Sequence, residues 1–302
     1  MRNIFLDERT ARDIDRVVAK VLRDLENPEP PLRLELVREV LSLDRAYYSS
    51  TDTSVLEETV HRLLMAGKQL IKRPTLLLDV VRKRKLSALW APDRRRILLD
   101  AEVPEPKQRW NEGHEIGHSL IPWHEQMLHG DKDRTLRFTC EERLEAEANL
   151  AAGRLLFLRD AFAARFLDGP ITFDRVKDLC GEFGNTMTSG LWRVVENLDM
   201  PAFGLVSQHP RRPSHPEAPM VRYFLRSRAF EKQFAGVDET QIFSALGRFC
   251  FRNRGPIGSD EVVLRDAGGI QHVFFVETFF NGHEALTLGV YRRLHALVVA
   301  VP

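Results

Sequence analysis

The sequence predicts an α+β protein in two parts: a mainly helical region with a small sheet over residues 1–206, and a smaller, β-rich α/β domain over 207–302. Three observations carry this. Apolar residues recur at three- and four-residue steps through much of the first two hundred positions, the period of a helix with one buried face. Beyond Leu205 the pattern turns to short runs rich in Val, Phe and Thr, which favour strands. Between the two textures Pro210, Pro213, Pro216 and Pro219 fall every third residue, a spacing that suits a stiff polyproline connector and places a boundary near Ser207.

The first helix is expected over Asp7–Leu25, where Ala11, Ile14, Val17, Val18, Val21, Leu22 and Leu25 recur at three- and four-residue steps. Pro28, Pro30 and Pro31 end it, and Leu32–Leu43 resumes the helical period. Further helices are expected over Ser54–Leu70 and Thr75–Lys85. Two short strands follow, Ser87–Trp90 and Arg96–Asp100, and Pro92-Asp93 between them signals a hairpin turn. Pro104 and Pro106 introduce a new helix, and Glu141–Leu158, Thr172–Phe183 and Thr186–Leu198 continue the helical part. In the second part, Met220–Leu225, Glu261–Leu264, Gln271–Phe280 and Ala285–Val301 read as strands, with a tight turn at Asn281-Gly282 and one helix at Glu239–Phe249. The run Phe274, Phe275, Phe279 and Phe280 reads as core.

Composition narrows the function classes. With 43% hydrophobic and 29% charged residues, the 302-residue chain has the make-up of a soluble globular protein large enough to bury a core. Lys and Arg number 44 against 43 Asp and Glu, so overall charge argues against a general polyanion binder. No apolar run reaches membrane-spanning length, and Met1–Asp13 has no apolar signal core, which together predict a cytoplasmic protein. Cys140, Cys180 and Cys250 are too few and too scattered for a disulfide scaffold or an all-cysteine metal site.

The chemistry concentrates in Trp110–Ile121, WNEGHEIGHSLI, which contains an HExxH pattern at His114–His118. Residues four apart share a helix face, so both histidines can present a ring nitrogen to one metal ion. Glu115 lies about 100° round the helix, beside such an ion, where it can accept a proton from an activated water. Gly113 and Gly117 each cost about 1 kcal/mol in a helix relative to alanine, which suggests close backbone approach by a neighbour such as an edge strand. A catalytic zinc site needs a third protein ligand and one open position. The helix CEERLEAEANLAAGRLLFL offers one: Glu145 lies on or near the face of Ala148 and Ala152, with Glu147 as the alternative, while Glu141 and Glu142 read as first-turn acids.

The segment HEIGHSLI, followed by ExEAN and AAxxLL some thirty residues later, resembles the ImmA/IrrE family of zinc metallopeptidases across Ser87–Leu158. The resemblance implies a gluzincin-like core in which the glutamate four residues before the asparagine is a ligand, here Glu145 before Asn149. It also implies cleavage of a helix-turn-helix transcriptional repressor. A Met-Pro pair common after the two leucines is replaced here by Phe157-Leu158. The expected function is therefore a zinc endopeptidase: His114, His118 and Glu145 hold Zn²⁺, although two histidines and a glutamate also suit manganese or iron, and Glu115 is the catalytic base. The expected partner is one protein, a DNA-binding repressor, with no membrane and no direct nucleic-acid contact. The C-terminal domain would select substrate or sense a signal. The alternative is a non-catalytic regulator that binds a repressor, or DNA through the basic runs Arg82–Lys85 and Arg94–Arg96. Those runs otherwise read as a solvated hairpin rim. His124, just past Pro122, reads as a loop histidine with no role ahead of one that orients substrate or stabilises an oxyanion, and His209 and His215 as part of a connector ahead of one that folds over the cleft.

Overall fold

The computed structural model describes residues 2–49, 88–91, 95–124, 138–213 and 217–294. The expected helices at 54–70 and 75–85, the run Arg82–Lys85, the Pro92-Asp93 turn and His215 lie outside these residues, and the last strand is described only to Leu294. The chain is a mixed α+β protein that divides into two compact units. One is Leu6–Phe162 with Glu182–Thr186, and the other is Met1–Phe5, Ala163–Gly181 and Met187–Pro302.

The first unit opens with α1 (Glu8–Asp24), capped by the Asp7 side chain, which accepts from the Thr10 backbone N–H, and burying Ile14, Val18, Val21 and Leu22 as the periodicity requires. After α2 (Leu34–Leu41) comes β1 (Asp44–Tyr48), a strand that the sequence pattern does not announce. It pairs in parallel with β3 (Arg96–Asp100), and β2 (Ala88–Ala91) pairs antiparallel on the other side of β3. Central β3 accordingly buries three successive residues, Ile97, Leu98 and Leu99. Arg96 is engaged with Asp44 of β1 at 2.6 Å, and the Arg95 side chain donates to the Leu41 carbonyl, so these two members of the basic run serve the sheet. Helix α3 (Glu105–Leu120) starts after Pro104, with Pro106 in its first turn, where no donor is lost. It packs against β2, β3, α2 and, most extensively, α4 (Phe138–Leu156), which also receives α1.

The second unit holds most of α5 (Ala161–Leu167) and of α6 (Phe173–Phe183), and all of α7 (Met187–Asn197), α8 (Arg228–Gln233) and α9 (Glu239–Leu246). Its sheet is antiparallel, in the order β5 (Val221–Arg226), β4 (Ala202–Ser207), β8 (Ala285–Leu294), β7 (Gln271–Phe280), β6 (Gly255–Arg265). The proline-rich stretch is not a connector between domains. Ser207 pairs with Val221 and the Gln208 N–H donates to the Met220 carbonyl, so the stretch is the loop joining two neighbouring strands of one sheet. His209 is buried in that loop, its Nε2 2.9 Å from the Arg252 carbonyl. The core gathers Phe203, Phe224, Phe230, Phe234 and Phe274, all fully buried. Gly289 stands opposite Phe203 in the β4–β8 register because the phenyl ring occupies the place of a β-carbon. Of the phenylalanine run on β7, Phe274 is in this core, Phe279 stacks on Phe173 and Phe280 packs on His209.

Candidate metal centre

The site arises where α3 and α4 come unusually close. Gly117 faces the Ala148 carbonyl oxygen, 2.7 Å from where a β-carbon would stand, together with Ala151 and the Ala152 backbone. Gly113 faces Leu156 in the same way. Helix separation is set by the side chains at the contact, and here glycine meets alanine. The neighbour that requires both glycines is thus helix α4, not an edge strand. The edge of the small sheet serves otherwise: the Trp90 backbone of β2 favours the charged form of the Glu115 carboxylate.

This close contact lets one glutamate of α4 reach two histidines of α3. His114 Nε2 lies 3.2 Å from His118 Nε2, 3.1 Å from Glu145 Oε2, and His118 Nε2 lies 3.6 Å from Glu145 Oε1. Tetrahedral coordination with bonds of roughly 2.0–2.1 Å places ligand atoms about 3.3 Å apart, and each histidine Nε2 has one of the two Glu145 oxygens near that distance. Among the described residues they form a cluster able to hold a metal ion. Glu145 is 53% exposed at its side chain while both histidines are at 16%, so of the two positions expected, on or near the buried alanine face, the carboxylate takes the one at its rim. Burial opposes its charge, but the two imidazoles outweigh that and hold the carboxyl far below the usual carboxylate range.

The other ring nitrogens are also engaged. His114 Nδ1 is 3.1 Å from Asn149 Oδ1, and His118 Nδ1 is 2.9 Å from His124 Nδ1. His124 belongs to a helical turn that follows α3, is 1% exposed, and sits 3.0 Å from Glu147. Glu147 therefore points away from the cluster, toward His124, Trp123 and Arg143. Burial would raise its carboxyl, but hydrogen bonds from those three donors hold it below the usual range. Glu115 behaves in the opposite way. It is buried, and desolvation lifts its carboxyl above the usual range despite the two histidines beside it, which makes it a stronger base.

Sequence reasoning missed Glu112, and it named His124 and Glu147 without pairing them. Glu112, 6% exposed at its side chain, is held by Arg38 at 2.7 Å and Arg45 at 3.1 Å, bracing α3 against α2 and β1. Its only signal was an acid on the inward face of a helix. His124 and Glu147 had no pairwise signal, being 23 positions apart.

Residues 70–183 match the family described as the IrrE N-terminal-like domain. No curated protein matches the chain. Among solved structures, a Mycobacterium tuberculosis transcriptional regulator aligns over 98% of this chain and 94% of that chain, at 12% sequence identity and a TM-score of 0.47.

Proposed function

We propose that this chain, a member of the ImmA/IrrE family through residues 70–183, is a zinc-dependent cytoplasmic endopeptidase that cuts one specific intracellular protein, a helix-turn-helix transcriptional repressor. The observation that carries the peptidase reading is that His114 Nε2 and His118 Nε2 lie 3.2 Å apart, with Glu145 Oε2 3.1 Å from the first and Glu145 Oε1 3.6 Å from the second, and buried Glu115 alongside. The repressor substrate rests on the family resemblance. Selection of that substrate, or sensing of a signal, is assigned to residues 207–302. Among the described residues no helix is long and apolar enough to cross a membrane.

His114, His118 and Glu145 would hold the ion. Zinc bound there supplies Lewis acidity, polarising a carbonyl and acidifying a water. Glu115, whose buried carboxylate takes up a proton more readily than usual, would be the base that receives a proton from the attacking water. It then returns the proton to the leaving amine.

Metal content of the purified chain tests the centre: about one zinc is expected in wild type, sharply reduced in His114→Ala and Glu145→Ala. Activity is tested by profiling new protein N termini after the zinc-loaded chain is incubated with a lysate of its source cells. Glu115→Gln is expected to keep its zinc and lose about 10²–10⁴-fold in cleavage rate. Identical N termini from wild type and Glu115→Gln would refute the mechanism.

A further inference from the structure

The two histidines are supported by unlike means. His114 Nδ1 meets a single amide oxygen, that of Asn149. His118 instead begins a chain of groups: Nδ1 to His124 Nδ1 at 2.9 Å, then His124 Nε2 to Glu147 Oε2 at 3.0 Å. Two further donors close on Glu147, Trp123 Nε1 at Oε2 and Arg143 Nε at Oε1, the latter at 2.9 Å. Neither has a lone pair to offer, and Glu147 is 3% exposed.

The direction of every proton in this chain follows from its end. A carboxylate facing an indole N–H and a guanidinium is an acceptor only, so His124 must turn an Nε2–H toward it. A neutral imidazole has one N–H, which leaves His124 Nδ1 with a lone pair. The proton between the two Nδ1 atoms therefore belongs to His118. His118 Nε2 is then the bare nitrogen, and it is the atom that faces His114 and Glu145. Were His124 turned to its other tautomer, His118 would carry its proton on Nε2, pointing into the cluster.

We propose that His124 and Glu147 are positioning residues that fix the tautomer and ring orientation of His118, so that its Nε2 lone pair is presented to the metal. This rests on the metal-centre reading above. Both residues are almost fully buried and neither is among the three clustered donors, which suits a supporting role, and such outer partners commonly matter by 10–100-fold in metal affinity.

The test uses the full chain and two ions, zinc and cobalt(II). His124→Phe keeps a ring but offers no acceptor, whereas His124→Asn places an amide oxygen near where Nδ1 stood. Zinc affinity, read by competition with a chelator, is expected to fall about 10–100-fold in His124→Phe and to stay within about threefold of wild type in His124→Asn. The visible absorption of bound cobalt should shift in the first variant and not in the second. A second measurement needs no substitution: ring nitrogen–proton correlation spectra of the metal-free chain at alkaline pH should show His118 protonated at Nδ1 and His124 at Nε2. Zinc affinity in His124→Phe equal to wild type, equal losses in both variants, or His124 protonated at Nδ1 would each overturn the inference while leaving the metal centre standing. Wild type that binds neither ion would overturn both.

Discussion

Replacing Gly117 by alanine would probe whether helix proximity, rather than the ligands alone, makes the site. Alanine gains about 1 kcal/mol of helix propensity at this position. Against that, its β-carbon would stand 2.7 Å from the Ala148 carbonyl oxygen and 3.3 Å from both the Ala151 β-carbon and the Ala152 nitrogen. Two of these three obstacles are backbone atoms, which cannot rotate away. Restoring ordinary contact means parting α3 and α4 locally by about 0.3–0.7 Å, and overpacking of this kind costs about 1–3 kcal/mol. The net loss of stability is therefore modest, about 0–2 kcal/mol. The cluster suffers more, because His118 follows Gly117 on one helix, Glu145 lies one turn before Ala148 on the other, and functional constellations tolerate about 0.5 Å. Zinc affinity should fall by about tenfold or more while the thermal midpoint moves by only a few degrees. Gly113→Ala is the control: its obstacle is the Leu156 side chain rather than backbone, so the two helices need not part and zinc affinity should change less. Wild-type zinc affinity in Gly117→Ala would refute the argument that the glycine–alanine contact sets the ligand spacing.

Glu112→Ala should destabilise the first unit by about 2–3 kcal/mol in denaturant unfolding, since it leaves Arg38 and Arg45 facing each other without their shared carboxylate. Cys180 and Cys250 should resist alkylation at pH 8 in the native chain and react on unfolding, because both are buried and burial pushes the Cys180 thiol up to about 12. A folded-state value raised in this way gives stability that is full below the unfolded thiol's value near 9 and is lost as pH rises toward 12, with Tyr48, also raised by burial, adding in the same direction. Unfolding free energy should thus decline from about pH 9 upward, and less steeply in Cys180→Ala; a flat profile there would contradict the assignment.

Much of this protein could be read in advance where the governing physics is local. Helix α1 follows from a three-and-four period and an aspartate cap, both contained within twenty residues. The hairpin of β7 and β8 ends at Asn281-Gly282, as the dipeptide suggested, with Gly282 at φ +100°. What escaped is what depends on distant partners. Strand β1 has no strong alternation and exists because β3 lies beside it. Arg2 bridges to Phe224 and Asn3 hydrogen-bonds Arg226, pairings more than two hundred positions apart. The prolines at 210–219 suggested a connector because the pairing of Ser207 with Val221, which turns them into a loop, cannot be seen from composition.

The same division runs through the site. Sequence alone determined that His114 and His118 share a face and that Glu115 lies beside them, because 3.6 residues per turn is a property of the backbone and needs no partner. It also pointed to Glu145 as the third donor. Only the tertiary structure decided that Glu145 comes within 3.1 Å of His114 and Glu147 does not, that two glycines exist for helix α4, and that His124 is a buried partner of His118 rather than an idle loop residue. Each of these depends on the distance between two helices, and that distance is fixed by side chains on both at once.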